Sequence, residues 1–142
     1  MTEQIYPEPT VGALILNNEG KILLVKTYKW KNQYIIPGGH VEVGETMEQA
    51  LKREIKEETN LDISDLKFLC VKENIFGKEY HKKKHFIWLT FSCRANSDNV
   101  TLNGEAQDYK WVNPEEALKL PIDSYSRSLI EFYLKRKCQI QL

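Results

Sequence analysis

Val11-Gly12-Ala13-Leu14-Ile15-Leu16 is an apolar run closed by the turn cluster Asn17-Asn18-Glu19-Gly20, and Lys21-Ile22-Leu23-Leu24-Val25-Lys26 is a second run bounded by charge. Two such runs around a short polar turn predict a β-hairpin. Neither run alternates, so both faces of each strand are expected to be covered. Tyr34-Ile35-Ile36 predicts a third strand, ended by Pro37-Gly38-Gly39. Over residues 47–59 the apolar side chains Met47, Ala50, Leu51 and Ile55 recur at helical spacing, with charge between them. Thr46 followed by Gln49 is a capping box, which starts that helix at Met47. Leu66 to Glu73 and His85 to Cys93 predict two more strands; in the second, Phe86, Trp88 and Thr90 alternate with Ile87, Leu89 and Phe91. Between them, Asn74 to Lys84 is a polar loop containing Lys82-Lys83-Lys84. Tyr109 to Val112 predicts a strand, and Asn113-Pro114 opens a helix as N-cap and first helical residue. Ser126 to Lys137 predicts a final helix with Leu129, Ile130, Phe132, Tyr133 and Leu134 inward. Its last turn would hold Lys135, Arg136 and Lys137, which suits the helix dipole.

Strands interrupted by one central helix and closed by another predict an α/β (α+β) fold: a three-layer α/β/α sandwich around a central mixed sheet. At 142 residues the expectation is a single domain over 1–142. Lys plus Arg and Asp plus Glu are each 20, a neutral balance that argues against general nucleic-acid binding and against a polybasic membrane anchor. No apolar run approaches the roughly 18 residues of a membrane-spanning helix. Met1 to Pro7 has neither a basic stretch nor an apolar one, so it does not read as a signal peptide. Cys70, Cys93 and Cys138 are far apart and odd in number, and read as free thiols in a reducing, cytoplasmic compartment.

Against global neutrality, the helix over 47–59 is locally acidic. Glu54, Glu57 and Glu58 stand at i, i+3 and i+4, so one turn gathers three carboxylates. Like charges at that spacing repel by a few tenths of a kcal/mol per pair, roughly. A hard divalent cation, Mg²⁺ or Mn²⁺, would reverse the sign of that term, above all with phosphate oxygens completing its shell. A solvated Glu/Lys face, with Lys52, Arg53 and Lys56 interleaved, accounts for the charges as readily when the helix is read alone. Gly38-Gly39 ahead of it would let backbone approach a ligand closely and take positive φ.

The wider spacing carries a resemblance. Gly39-x5-Glu45-x7-Arg53-Glu54-Ile55-x-Glu57-Glu58-x-Asn60-Leu61 resembles the signature of the Nudix (MutT-like) hydrolase family, matching eight of its nine specified positions. A chance match is on the order of 10⁻⁸ per starting position. The departure is Asn60, where the family usually has Gly. Asn is the best non-glycine residue for the left-handed helix end expected there, so the carboxylates are undisturbed. The resemblance implies metal-dependent attack of water on a phosphorus of a nucleoside diphosphate linked to a further group. It implies that Glu54, Glu57 and Glu58 hold the metal, helped by a carbonyl of the Gly38-Gly39 loop, Gly39 in particular. Glu45 and Arg53, with Gly39, would be structural parts of the signature, bridging loop to helix. The base is left open among Glu54, Glu57 and a later-loop glutamate. For that last residue, a catalytic and metal-binding role is expected of Glu105, with Asp108 second. Gly38, Gly39, His40 and Tyr34 are expected to line the substrate site.

The segment from Val100 through Trp111-Val112 to Glu116 is similar to small members acting on nucleoside triphosphates. The expected reaction is therefore pyrophosphohydrolysis of a (d)NTP to the monophosphate and pyrophosphate. An ADP-ribose or nucleotide-sugar pyrophosphatase is the alternative within the class, and a non-catalytic nucleotide-binding module the alternative outside it; retention of every signature glutamate favours an enzyme. The nucleotide is the expected partner, with no membrane, and the protein a monomer or homodimer. His81 and His85 are four apart but lack a helical pattern or Glu partner for zinc, so they read as surface loop. Lys82-Lys83-Lys84 reads as a solvated tip or, more weakly, a lid. One of Lys26, Lys29 and Lys31 could meet a phosphate, and Tyr28, Trp30, Tyr34, Phe76 and Trp88 include surfaces on which a base could stack.

Overall fold

The computed structural model describes residues 4–141, with side chains as far as Arg136. Lys137 and Cys138, both invoked above, lie outside the described side chains. Strands β1 (Glu8–Leu16), β2 (Ile22–Thr27), β3 (Gln33–Ile35) and β4 (Gly38–His40) precede helix α1 (Met47–Thr59). Then come β5 (Ile63–Ile75), β6 (His85–Ala95), β7 (Asp108–Val112), the single turn α2 (Pro114–Ala117) and α3 (Ser124–Gln141). One mixed sheet runs β3-β2-β1-β6-β5, with β4 joined to β1 and β7 to β2. β1 and β6 are parallel over the whole of β1, from Glu8 opposite Phe86 to Leu16 opposite Arg94. The other named pairings are antiparallel.

α1 covers one face of the sheet. Ala50, Leu51 and Ile55 interdigitate with Val11, Ala13, Ile15 and Leu23, all fully buried. α2 and α3 cover the other, where Leu129 and Ile130 pack on Leu14, Ile22 and Leu24. Odd and even positions of β1 thus feed different cores, which is why its sequence runs apolar without alternation. Each Val, Leu or Ile side chain among them contributes about 1.5–3 kcal/mol on burial. Not every expected inward residue goes in. Met47 stays 43% exposed at the first turn of α1, and Phe132 38% exposed on α3.

The predicted hairpin forms only at its mouth. β1 and β2 pair at Leu16 opposite Ile22 and then diverge. The gap admits the following segment: β3 takes the far half of β2 at Val25–Thr27, and β4 takes Thr10–Gly12 of β1. Pro37 bridges the two, its carbonyl accepting from Ala13 N–H at 2.9 Å. The Gly-Gly pair is therefore a strand and not a free loop. Neither glycine has positive φ. Gly38 is required because a Cβ there would collide with the Val11 backbone. At the other end of the chain α3 runs on to Gln141, so Lys135 and Arg136 are not in its last turn. No Gly or Pro follows Pro121 to stop the helix earlier.

Candidate functional site

The capping box is made as expected. Thr46 Oγ1 accepts from Gln49 N–H at 3.1 Å, and Gln49 Oε1 accepts from Thr46 N–H at 2.9 Å. At the other end Asn60 sits at φ 62°, in the left-handed conformation, and its N–H reaches Lys56 O. With both ends set and Leu51 and Ile55 buried, the rotation of α1 is fixed. Glu54, Glu57 and Glu58 then face a cleft of about 270 Å³ together with Gly38, Gly39, His40 and Arg53.

Arg53 organises this side. Its Nε and Nη2 donate to the two Glu45 oxygens at 2.7 and 2.9 Å, a bidentate pair. Nη2 also donates to His40 O at 3.0 Å, and Nη1 to Glu54 Oε1 at 2.9 Å and Glu57 Oε2 at 3.3 Å. The guanidinium thus ties the 40–45 loop to α1, the bridging role expected of Glu45 and Arg53. It holds the Glu45 carboxyl down at about 2, helped by the Glu42 N–H, while Glu45 and Glu54 hold Arg53 charged.

Glu58 has the opposite surroundings. Burial first, then the Glu54 and Glu105 carboxylates, push it well above the ordinary carboxylate range. Carboxylates crowded together repel one another, and a cation among them would relieve that repulsion. Gly39 lies directly under the Glu54 carboxyl, and a Cβ there would collide with it. Glu105 reaches the cleft from the loop after β6. Its N–H donates to Asn103 Oδ1 at 3.1 Å, Gly104 turns at φ 100°, and Gln107 N–H fastens the loop to Lys26 O.

Among the described residues no group of three His, Cys, Asp or Glu side chains stands ready arranged around a metal ion, because Glu54 and Glu57 are turned onto Arg53. The donor set nonetheless fits a hard divalent cation. It is all oxygen and crowded with like charge.

Two expected residues are elsewhere. The Tyr34 hydroxyl donates to Asp108 Oδ2 at 2.8 Å, and the Tyr34 ring packs with Leu14, Leu24 and Leu129 in the core under α3. Tyr34 and Asp108 therefore do not line the cleft; on β3 it is the neighbour Ile35 that does. Burial and Asp108 raise the Tyr34 phenol to about 12. His40 does line the cleft, its Nε2 2.7 Å from Glu8 Oε1. His81 and His85 form no ligand pair: His81 packs edge-on against Tyr28 and Tyr80, and His85 against Phe76. Lys84 is tied to Glu8 at 2.9 Å, and of Lys26, Lys29 and Lys31 it is Lys29 that lines the cleft.

The far wall is aromatic. Trp30, Tyr80, Phe86 and Trp88 line it, with Trp30 and Tyr80 centroids 4.8 Å apart and Phe86 and Trp88 5.4 Å apart. Tyr80 and Phe86 were not singled out in the sequence. The alternation of Phe86, Trp88 and Thr90 on one face of β6 was the available signal, but it does not say which face meets the cleft.

A family model described as NUDIX domain matches residues 6–133. The chain belongs to the Nudix family. A relative named nucleoside triphosphatase NudI, from Salmonella heidelberg (strain SL476), is 35% identical over 117 residues, 75% of this chain and 83% of the relative. The crystal structure of a MutT NUDIX hydrolase from Burkholderia pseudomallei superposes with a TM-score of 0.77 at 25% identity, covering 89% of this chain and 98% of that one. The NUDIX domain of Shewanella oneidensis NrtR, solved with ADP ribose, gives 0.78 at 20% identity over 94% and 90%, a likeness of fold alone. As a Nudix protein the chain has the α/β sandwich expected of it. The family generally needs a divalent metal. Among the described residues no helix is long and apolar enough to cross a membrane.

Proposed function

We propose that this Nudix protein hydrolyses the phosphoanhydride of a nucleoside triphosphate, giving the monophosphate and pyrophosphate. The carrying observation is the convergence of Glu54, Glu58 and Glu105, from two distant segments, opposite an aromatic wall in one cleft. The name nucleoside triphosphatase carried by the 35% identical relative supports the same reaction.

In this reading Glu54, Glu57, Glu58 and Glu105, with the Gly39 carbonyl, would hold Mg²⁺ or Mn²⁺. The metal would neutralise phosphate charge and acidify the attacking water. Arg53 and Glu45 keep the ligands aligned. The water's proton would pass to a cleft carboxylate: Arg53 donates to Glu54 and Glu57 alike, and Glu105 reaches the cleft from the loop. Gly38, Gly39 and His40 border the phosphates, with Lys29 at the rim, and the base stacks on the aromatic wall. The same reading makes residues 1–142 one domain acting in the cytoplasm, as monomer or homodimer.

The test is phosphate release, through a coupling phosphatase, from a panel of NTPs, dNTPs, ADP-ribose, a UDP-sugar and capped RNA with Mg²⁺ or Mn²⁺. Triphosphate turnover that stops with a chelator is the expected result. Turnover of ADP-ribose or a sugar nucleotide in its place overturns the substrate. Nucleotide binding without turnover of any compound overturns the enzyme.

A further inference from the structure

Behind the aromatic wall lies a second, much smaller cavity of about 10 Å³. It shares Trp30, Ile35, Ile36 and Trp88 with the cleft and extends to Thr90, Asp123 and Tyr125 beneath it. Two buried polar atoms belonging to residues of this cavity have no hydrogen-bond partner among the described residues: Trp88 Nε1 and Asp123 Oδ1. Trp88 is 7% exposed and Asp123 1%. The indole N–H can only donate and a carboxylate oxygen accepts. Left unmade, each would carry the cost of a buried polar group without a hydrogen bond.

The size and chemistry of the cavity select the occupant. Its volume is that of a single buried water. A metal ion would face the indole N–H, and an anion would face the carboxylate. Water accepts from the first and donates to the second. Thr90 and Tyr125, whose hydroxyls are 2.9 Å apart, line the same cavity and offer the further contacts that buried waters make. We propose that one buried water bridges Trp88 Nε1–H to Asp123 Oδ1, making Asp123 a positioning residue for the Trp88 wall of the cleft.

The two ends of this bridge are held by different kinds of contact, which gives it a task. Asp123 Oδ2 accepts from Tyr125 N–H at 3.0 Å and Ser126 N–H at 3.2 Å, so its carboxylate is anchored to the start of α3. The Trp88 ring is held by tilted ring contacts with Tyr125 at 4.9 Å, Phe86 at 5.4 Å and Trp30 at 6.0 Å. These contacts hold the ring and give its indole N–H no partner. A tether on Nε1 selects one ring orientation. Asp123 thereby acts on the cleft through Trp88 while itself lying behind the wall.

The functional half of this proposal rests on the nucleotide reading above; the water does not, and the experiment separates them. In protein labelled with ¹⁵N at tryptophan, the Trp88 indole signal is assigned by its loss in Trp88→Phe. A NOESY and ROESY cross-peak from it to a long-lived water is expected in the native protein. It should vanish in Asp123→Ser, which keeps a capping oxygen but lacks the second prong, and persist in Asp123→Asn. Absence of the cross-peak, or its survival in Asp123→Ser, overturns the bridge. If Asp123→Ser does not fold, a high-resolution crystal structure of the native protein decides: a water within about 3.2 Å of both atoms is expected, and none, or a direct contact, overturns it. For the cleft, Asp123→Ser and Trp88→Phe should each raise KM about fivefold with kcat within about twofold. The double variant should be no worse than either single. An unchanged KM, a loss confined to kcat, or multiplicative effects overturn the positioning role. Failure of every nucleotide to bind or turn over in the native protein would overturn the nucleotide reading, and with it that role, while the cross-peak still decides the water.

Discussion

The two walls of the cleft are built in opposite ways. The acidic wall comes almost entirely from one stretch of chain, Gly38 to Glu58, with Glu105 added from afar. The aromatic wall draws Trp30 from the turn after β2, Tyr80 from the β5–β6 loop, and Phe86 and Trp88 from β6. The acidic wall is polar, hydrogen-bonded and held by one arginine. The aromatic wall is held by ring contacts, and one of its buried polar atoms, Trp88 Nε1, has no partner among the described residues. Chemistry that needs fixed spacing between like groups can be written into a helix. A surface for a flat ring needs only apolar area, and any segments that meet there can supply it.

The largest separation between the walls is expected from Glu58→Gln. Removing one ligand of the acidic wall should lower kcat on the order of 10³-fold while the melting temperature holds or rises, since a repelling carboxylate is gone. Steady-state turnover with a thermal melt checks both; normal turnover in the folded variant removes Glu58 from the metal. Gly39→Ala probes the same wall without touching a charge. The methyl displaces the Glu54 carboxyl, and a loss on the order of 10² in kcat is expected, with about 1–3 kcal/mol of destabilisation by chemical denaturation. An unperturbed Gly39→Ala enzyme would mean Glu54 has a second productive position.

Acid should separate the walls by sign. Arg53 holds Glu45 at about 2 in the folded protein against an ordinary 4.5, so its contribution is present above pH 4.5 and is lost as pH falls from there toward 2. Burial, first, and Glu79 raise Asp123 to about 6 against an ordinary 3.8. The folded protein then takes up that proton first, so this group's contribution grows as pH falls from 6 to 4, by of order 2 kcal/mol. Denaturation of native protein and Asp123→Asn side by side should therefore give a difference that shifts toward the native protein across that window. A difference constant with pH would mean that Asp123 stays charged.

Smaller effects sharpen the aromatic side. Tyr80→Ala should raise KM about tenfold with kcat little changed, the value of one stacking partner; an equal fall in kcat would place Tyr80 at the phosphates. Tyr34→Phe should change neither kcat nor KM and cost about 0.5–1.5 kcal/mol through the lost Asp108 hydrogen bond. A raised KM there would restore Tyr34 to the substrate site.

Much of this was legible in the chain. The capping box, the buried pair Leu51 and Ile55 and the left-handed Asn60 fix where α1 starts, how it is turned and where it ends, and the three glutamates follow. Glu105 was legible through the family resemblance. Tyr34 was misplaced because strand alternation is indifferent to direction: a residue and its neighbour exchange faces with the register, and here Ile35 took the cleft. The Gly-Gly pair was misread because glycine serves close packing as well as positive φ. Only the approach of Val11 and of Glu54 distinguishes the two.

The sequence by itself determined the elements and the local acidic geometry, since helix spacing, caps and turns are interactions between residues a few positions apart. The tertiary structure decided that β1 and β2 splay to admit β3 and β4, that Glu105 meets Glu58 while Asp108 turns away to Tyr34, and that Trp88 and Asp123 share a cavity. Each of these depends on which distant surfaces exclude water from one another. That is a property of the whole packed chain, and no short window of residues carries it.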